Sequence, residues 1–474
     1  MALNGTANLP LPGTVLPARP RLAKIRGRCQ RQPCGLKVQA YTQNGNGNGA
    51  ALADPTKFNP VLTKDFCAPW TVPESGIADA LGLMASGDLF RYNRNDANSA
   101  ASRAEVALSE YTGHKYCLAV NSGASAIFLS LVSAGVKPGD KVFSNALTFG
   151  AVPSAIHHAG ASVEFVESTN AYVLDTEHLE KKCQECPDVR FLLISHMRGK
   201  LADMDEVARI CDKYNVTLLE DCAHSLGVFW DGKHSGHHGV ACCISTQAYK
   251  MLNSGEGGFM LTNDPVIAAK AIVGAGGYEK LYKKHIATPP DEVFESIGKL
   301  KIPNYSMRMS NLHAAVLIPQ IAVVGDRVAL CNRRYDRVTA RFEVAAQRVG
   351  ASMEVPAQHP KVGPCNDSLQ FNLIGYSWEQ CQAYLANVKA RGVPVSVFGA
   401  HDNARNYRTW EFLGDLPVMA QTDHIIRFAV DVRLPPQFDN EDFDLMADCL
   451  AAGFLSIGEP EQLSKQEAPA AALA

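Results

Sequence analysis

Short apolar segments alternate with segments of helical periodicity through the first two thirds of the chain. The clearest predicted helix runs from Asp203 to Tyr214, because Asp203 is a favoured N-cap residue and Glu206 follows three positions later. This alternation predicts βαβ units, and hence an α/β fold with a mostly parallel sheet covered by helices. The predicted strands are Tyr116–Asn121, Lys141–Phe143, Ser162–Val166, Phe191–Ser195, Val216–Glu220, Val240–Ser245 and Phe259–Thr262.

The pattern changes from about residue 323 and predicts a smaller α+β domain. Its predicted strands are Gln370–Ile374, Val393–Phe398 and Ile425–Phe428, and its predicted helices are Trp378–Ala390 and Asn440–Ala451. We therefore divide the chain into residues 1–53, a large domain at 54–322, a small domain at 323–458, and a disordered tail at 459–474.

Composition excludes several functional classes. With 46% hydrophobic and 20% charged residues the chain is globular, and its net charge of −3 argues against a general nucleic-acid binder. No apolar run approaches the roughly 20 residues of a membrane span. The fourteen cysteines are scattered, as expected for free thiols in a reducing compartment. Cys183 and Cys186 form a C-x-x-C that could serve metal or redox chemistry or lie in a polar loop, and we predict no metal site.

The first 53 residues contain no Asp or Glu but seven Lys or Arg residues, and several prolines forbid a long helix. Such an acid-poor, Arg-rich segment is similar to an organelle transit peptide. Val38-Gln39-Ala40 resembles a plastid processing site, which favours the plastid stroma over the mitochondrion. A merely disordered tail is the alternative.

Candidate chemistry lies at three strand ends, where ligands bind in such sheets. The turn Ser122–Ser125 before a helix offers free N–H groups to a phosphate. Asp221 could face a cationic nitrogen or be structural, and Lys250 could be a desolvated nucleophilic amine or an ordinary surface lysine. Taken together, a phosphate, a protonated ring nitrogen and an aldehyde describe pyridoxal phosphate.

Six motifs carry a resemblance to a known family, and their order and spacing match as well. The chain resembles the DegT/DnrJ/EryC/StrS (sugar) aminotransferases of the fold-type I pyridoxal phosphate group over roughly residues 66–455. The motifs are Asn121–Ala126, Val136–Val142, Ala202–Asp205, Leu219–His224, Ser245–Gly258 and Asn304–Ala315.

The resemblance implies a role for each matching position. Lys250 would form the Schiff base with the cofactor and move the proton during transamination, and Asp221 would hold the pyridine nitrogen protonated. The other implied cofactor contacts are Phe149 stacked on the ring, His224 near the 3-hydroxyl, and Gly123, Ala124, Ser125 and Ser245 at the phosphate. Ser306 would reach the phosphate of a partner subunit, which implies a homodimer with shared active sites.

Departures from the family pattern bear on cofactor and substrate. Ala124 replaces the usual Thr, although Ser125 could supply the hydroxyl, and Ser306 replaces the usual Asn. The segment 397–408 matches the family's sugar pocket poorly, which puts a nucleotide-sugar acceptor in doubt. Candidate substrate residues are Arg405, Arg408, Arg91 and Tyr92; the arginines could bind a carboxylate or form surface ion pairs.

These observations predict a pyridoxal phosphate-dependent aminotransferase. It would move an amino group from glutamate or glutamine to a keto sugar, possibly nucleotide-linked in this family, or to a keto-cyclitol. Two alternatives stay open. One is a dehydratase or lyase, although family dehydratases carry His in place of the lysine found here at Lys250. The other is a regulatory protein that binds the cofactor without turnover.

Overall fold

A computed structural model describes residues 59–435 and 437–460. The predicted transit peptide at 1–53 and the predicted tail beyond residue 460 lie outside the described residues. The plastid location therefore stays a prediction.

Helices and short strands alternate along most of the described chain. The helices are α1 (Glu74–Ser86), α2 (Ala100–Thr112), α3 (Gly123–Ala134), α4 (Ala151–His158), α5 (Thr176–Glu185), α6 (Met204–Tyr214), α7 (Pro265–Ala275), α8 (Asp291–Ser296), α9 (Asn311–Ile321), α10 (Val324–Arg348), α11 (Trp378–Ala390), α12 (Ala420–Phe428) and α13 (Asn440–Ala452). The strands are β1 (Tyr116–Val120), β2 (Lys141–Asn145), β3 (Ser162–Val166), β4 (Phe191–Ser195), β5 (Thr217–Asp221), β6 (Phe229–Trp230), β7 (Lys233–His234), β8 (Ala241–Ser245), β9 (Gly258–Thr262), β10 (Met353–Glu354), β11 (Val362–Gly363), β12 (Ser368–Leu373), β13 (Val395–Val397) and β14 (Ala429–Arg433).

Seven strands form the main sheet in the order β1-β9-β8-β5-β4-β2-β3. Only β9 runs antiparallel to its neighbours, so the sheet is mostly parallel, as predicted. The carboxyl ends of β1, β8, β5 and β4 therefore meet at one edge. Strands β1, β8 and β9 are buried along their whole length, which explains why their sequences are continuous apolar runs rather than alternating ones.

Several boundaries of helices and strands were predicted correctly from local sequence patterns. Asp203 caps α6 and accepts hydrogen bonds from the N–H groups of Asp205 and Glu206, both at 3.1 Å, as the sequence pattern predicts. Strands β3 and β4 and helix α11 begin and end where they were predicted. The predicted α/β fold class is confirmed.

A second, antiparallel sheet in the order β10-β12-β14-β13 organises the C-terminal part. The 25-residue helix α10 connects the two parts, because it buries Cys331 in the core of the main sheet and Phe342 in the core of the second. Leu62 and Phe66, near the start of the described chain, also pack in the second core. The predicted boundary at residues 322 and 323 falls just before α10 and stays a prediction.

One predicted strand was wrong. Ile425–Phe428 lies in helix α12, and the strand follows it as β14. A short apolar run is compatible with either a buried strand or the buried face of a helix, so the sequence pattern of this segment did not distinguish the two. Thr422, Ile425 and Ile426 supply that buried face at helical spacing.

Among the residues that the structure describes, no single helix is long and apolar enough to cross a membrane. Helices α9 and α10 satisfy the criteria of length and composition only when taken together, and they are bent by 62° relative to each other. Both bury residues in the protein's own cores.

Arg91 and Tyr92 belong to a buried polar cluster, so their prediction as substrate-binding residues was wrong. The Arg91 guanidinium is 1% exposed and donates two hydrogen bonds to the Glu105 carboxylate, at 2.7 and 3.0 Å. His285 contacts both Glu105 and Tyr92. Burial alone would raise the pKa of Glu105, but the charges of Arg91 and His285 hold it at about 2.

We expect the substitution Arg91→Met to lower the free energy of unfolding by roughly 3–5 kcal/mol, because it leaves the Glu105 carboxylate buried without its partner. Urea unfolding followed by circular dichroism measures this loss. Arg94→Met is the matched control, since Arg94 pairs with Asp96 on the surface and its loss should leave the unfolding midpoint unchanged. Equal midpoints for both variants would contradict a structural role for the cluster.

Candidate active site

A cavity of about 540 Å³ opens where the carboxyl ends of the central strands meet, and residues from the second sheet complete its wall. It brings together most of the site residues predicted from the sequence. The lining residues are Ser122, Gly123, Ala124, Ile127, Phe149, Ala151, Val152, Arg198, Asp221, Ala223, His224, Ser245, Gln247, Tyr249, Lys250, Glu256, Arg405 and Arg433.

The amine of Lys250 lies inside this cavity and contacts His224. Nζ of Lys250 is 2.9 Å from Nε2 of His224. Burial, together with the charges of Arg198 and Arg405, lowers the pKa of Lys250 to about 7, although the Asp221 carboxylate opposes this shift. Burial also lowers the pKa of His224 well below its ordinary value, so this ring is neutral and accepts a hydrogen bond from Lys250. Near neutral pH, a large fraction of the Lys250 amine is therefore unprotonated and nucleophilic.

Asp221 ends strand β5 and is 4% exposed at the cavity wall. Its carboxylate accepts hydrogen bonds from the hydroxyl of Ser195 at 2.8 Å and from the N–H of Ala223 at 3.0 Å. Ser195 is held in turn by the side chain of Asn145, whose oxygen accepts its N–H at 2.9 Å. The carboxylate thus has a fixed orientation and can meet a cationic group in the cavity. Sequence analysis missed Ser195, although its position at the end of β4 is a usable signal.

The neighbouring carboxylate, Glu220, has a structural role. Successive strand residues point to opposite faces, so Glu220 turns away from the cavity that Asp221 lines. It accepts hydrogen bonds from the N–H groups of Gly236, His238 and Gly239 and contacts His196 at 2.8 Å. Despite burial, these partners hold the pKa of Glu220 at about 2. Both of its oxygens already accept hydrogen bonds, so the close approach of Glu220, His196 and Cys222 does not require a metal ion.

The amino end of helix α3 forms a cradle for an anion. The N–H groups of Gly123 and Ala124 belong to its first turn, which has no intrahelical acceptors for them, and both residues line the cavity. A side chain at position 123 would place its Cβ only 2.8 Å from Cβ of Ser245, so glycine is required for this close approach. Ser245 adds a hydroxyl at the same wall.

Ser125 is not brought to the cavity, which corrects its predicted phosphate contact. Its N–H donates to Oγ of Ser122 at 3.0 Å, and the two hydroxyls are 2.9 Å apart. Ser122 is the N-cap of α3 and itself lines the cavity. The family's usual residue at position 124 is Thr, which carries a hydroxyl. Neither Ala124 nor Ser125 supplies a hydroxyl to the cavity in its place.

Phe149 stands at the cavity with 41% of its surface exposed, which suits the predicted role of stacking on a flat ring. The guanidinium of Arg405 lies over the Phe149 ring, 5.5 Å from its centroid. Arg405 is therefore brought to the site as predicted. Arg408 is not, because it forms a surface ion pair with Asp423, with Nε 2.9 Å from the carboxylate.

Ser306 does not line the cavity of its own chain. Its φ of +58° is in the left-handed region, which Asn adopts more readily than Ser, and its hydroxyl accepts a hydrogen bond from Arg308 at 2.6 Å. Its predicted contact with a partner subunit stays a prediction.

Two arginines of the cavity escaped sequence analysis. Arg198 follows strand β4 in a turn with φ of +54°, and Arg433 ends strand β14. Arg198 is paired with the buried carboxylate of Asp431. A cationic residue at the carboxyl end of a buried strand or in the turn that follows it is a signal that could have found both, but many surface residues share that pattern.

The cavity fits pyridoxal phosphate on its own chemistry. The cradle at Gly123 suits a phosphate, Asp221 a cationic ring nitrogen, Phe149 an aromatic face, and the Lys250 amine an aldehyde. All four features line one cavity, as the sequence-based hypothesis requires.

Comparisons with known proteins agree with this assignment. A model of the DegT/DnrJ/EryC1/StrS aminotransferase family matches residues 92–450. The chain is 28% identical over 253 residues to GDP-perosamine synthase of Caulobacter vibrioides, and 30% identical over 238 residues to L-glutamine:scyllo-inosose aminotransferase of Streptomyces griseus. These matches cover 53% and 50% of this chain, and 63% and 55% of the two relatives, so the chain spans less than two thirds of their length.

Solved structures share the fold. The structure of 3-amino-5-hydroxybenzoic acid synthase superposes with a TM-score of 0.69 at 21% identity, covering 83% of this chain and 98% of that chain. A putative sugar aminotransferase from Streptococcus pneumoniae gives 0.69 at 18% identity, covering 82% and 98%, and was solved with pyridoxal phosphate. The predicted cofactor is thus confirmed for relatives of this fold.

We expect the Lys250 amine of the cofactor-free protein to titrate near pH 7. Below that pH it is protonated and unreactive, and above it the neutral amine accumulates, so labelling by trinitrobenzenesulfonate should reach half its maximum near pH 7. Peptide mass spectrometry measures labelling at each lysine. Lys361 is the internal control, because its ion pair with Asp205 raises its pKa above the ordinary value. Parallel pH profiles for the two lysines would contradict the assignment.

Proposed function

Because the chain belongs to the DegT/DnrJ/EryC1/StrS aminotransferase family, we propose that it transfers an amino group from glutamate or glutamine to a keto sugar or keto-cyclitol, with pyridoxal phosphate bound in the cavity. One observation carries this proposal. A lysine amine with a pKa of about 7 shares a cavity with a buried, hydrogen-bonded carboxylate and an anion cradle. An ordinary surface lysine would be protonated and unreactive at neutral pH.

The chain's own groups divide the binding of the cofactor among them. The N–H groups of Gly123 and Ala124 and the hydroxyl of Ser245 bind its phosphate, since the positive end of the α3 dipole favours an anion there. Phe149 orients the ring by stacking. Ser195 and Ala223 hold Asp221 in place through their hydrogen bonds. The Asp221 carboxylate would keep the ring nitrogen protonated, because an ion pair is strong where water is excluded.

Proton transfer falls to Lys250. Bound pyridoxal phosphate supplies a carbonyl that condenses with amines and a ring that accepts electron density. The neutral Nζ of Lys250 would hold the cofactor through that carbonyl and would take and return the proton at the reacting atoms of the substrate. His224 orients Nζ through the 2.9 Å hydrogen bond. Because its ring is neutral, it adds no positive charge that would attract the negatively charged groups of the cofactor.

We propose further that two copies of the chain form a dimer. Helix α1 supports this, because it exposes Ile77, Leu81 and Met84 at spacings of four and three residues, which form one apolar stripe on the surface. Leu89 and Phe90, which follow the helix, are exposed as well. The opposite side of α1 packs closely on α9, where Gly76 lies against Pro319.

We expect Lys250→Ala to abolish amino transfer. The purified wild-type protein with bound cofactor should lose its visible absorption when L-glutamate is added, and the variant should keep visible absorption, since no group moves the proton that conversion to the amine form requires. Lys361→Ala, a change on the surface, is the control and should behave as the wild type. Full conversion by Lys250→Ala would refute the mechanism. A wild-type spectrum that glutamate leaves unchanged but borohydride bleaches would favour the regulatory alternative.

We expect Leu81→Glu to shift the protein from dimer toward monomer, because it places a charge in the apolar stripe. Analytical ultracentrifugation at several concentrations measures the shift. Asp79→Glu, on the same helix but with the charge unchanged, is the control. A wild-type protein that sediments as a monomer at all concentrations would overturn the proposed dimer.

A further inference from the structure

We propose that Arg405 and Arg433 form a carboxylate-binding subsite, and that the keto acceptor is therefore an acidic molecule with a carboxylate close to its reacting group. This inference rests on the proposed function and narrows its substrate class. It favours a keto acid of the uronate kind over a neutral cyclitol.

The subsite is built from two parts of the fold. Arg405 lies in the segment that follows β13, and Arg433 ends β14, so both come from the C-terminal part of the fold. Both line the cavity that holds Lys250. Arg198, from the main sheet, lies at the same wall.

The two guanidinium groups differ from Arg198 in what they bind. Arg198 pairs with the Asp431 carboxylate. Among the described residues, the Arg433 side chain donates only to the carbonyl of Tyr249, at 2.8 Å, and its guanidinium lies 4.6 Å from the centroid of that residue's ring. Within the same residues, the Arg405 side chain makes a single weak hydrogen bond, 3.4 Å from Nη1 to the amide oxygen of Asn403.

Within the described part of the chain, no carboxylate lies within ion-pair distance of Arg405 or Arg433. Nε of Arg405 is buried without any hydrogen-bond partner there. Burying this N–H group is costly, because it has lost water and gained no acceptor.

Other arginines of this protein pair their terminal nitrogens where the role is structural, although Nε of Arg91 is left without a partner in the described chain, like that of Arg405. Arg91 makes two hydrogen bonds to Glu105, and Arg341 makes two to Asp448, at 2.8 and 2.6 Å. Arg327 has no carboxylate but donates to a carbonyl and an amide oxygen at 2.9 and 3.1 Å. Arg405 lacks comparable partners, so its acceptor is expected to come from outside the chain.

Electrostatics favours an anion at this place. Burial and the charge of Arg198 lower the pKa of both Arg405 and Arg433. The cations therefore repel one another, and a planar carboxylate that binds in the forked geometry of a guanidinium relieves this repulsion. The carboxylate must lie near the reaction centre, because Arg405 covers Phe149 and its charge reaches Lys250.

The acceptor is implicated as well as the donor, since the two substrates occupy the same cavity in turn. The charges of Asp431 and Asp367 act on these arginines from beyond ion-pair distance. A neutral acceptor would therefore leave both guanidinium groups without an ion-pair partner among the described residues and would lose the affinity they offer a carboxylate. The diphosphate of a nucleotide-linked sugar lies beyond the sugar ring and is less suited to a subsite beside the reacting amine.

Titration calorimetry on the cofactor-loaded protein tests this directly with unreactive probes. D-Glucuronate and D-glucose are a matched pair that differ in the carboxylate. We expect glucuronate to bind at least about tenfold more tightly than glucose, and Arg405→Met or Arg433→Met to remove most of that difference. Arg405→Lys, which keeps the charge but not the fork, should restore part of it. Arg408→Met, on the surface, should change nothing.

Further arms distinguish the sources of the anion. Equal binding of glucuronate and glucose would overturn the proposal, as would an Arg405 dependence found for glutarate, a mimic of the donor, but not for glucuronate. If the arginine substitutions weakened the binding of uridine diphosphate alone, the proposal would be overturned in favour of a nucleotide-linked acceptor. Because these probes do not react, the result stands whether or not glutamate converts the bound cofactor, so failure of the proposed function is seen separately.

Discussion

The chemistry of this protein depends on keeping one lysine amine out of water while holding it in place. Burial lowers the pKa of Lys250 to about 7, and the neutral ring of His224, 2.9 Å away, orients the amine without adding a charge. Asp221 works in the opposite direction, because its carboxylate raises that pKa. The charges around the amine are therefore balanced between the cations Arg198 and Arg405 and the carboxylates of Asp221 and Asp367, and the amine becomes reactive at neutral pH only while this balance is kept.

The parallel sheet and much of its site could be predicted from the sequence, because both leave local signals. Fully buried strands produce apolar runs, and the loops that follow them carried Asp221 and Lys250 to one edge. The misassigned segment 425–428 shows the limit, since apolar content alone does not separate a buried strand from a buried helix face.

Arginines were the least predictable part of the site. Arg91 is wholly buried against Glu105, Arg408 pairs at the surface, and Arg405 faces the cavity, yet all three are single arginines in polar segments of the sequence. The three differ in their carboxylate partner. Arg91 and Arg408 pair with carboxylates 14 and 15 residues further along the chain, whereas Arg405 has no ion-pair partner among the described residues. That partner is set by tertiary packing, which spacing along the chain does not encode.

The packing of Leu62 and Phe66 has a consequence for how the molecule is made. Phe66 stacks on Phe438 with ring centroids 4.3 Å apart and meets Phe443 edge-on at 5.7 Å. A ribosome releases the aromatic ring at position 66 long before its two partners, so this contact forms only after residue 443 has emerged. Until then the ring of Phe66 is an uncovered apolar surface that chaperones can bind, and the core around it assembles after synthesis of the residues between.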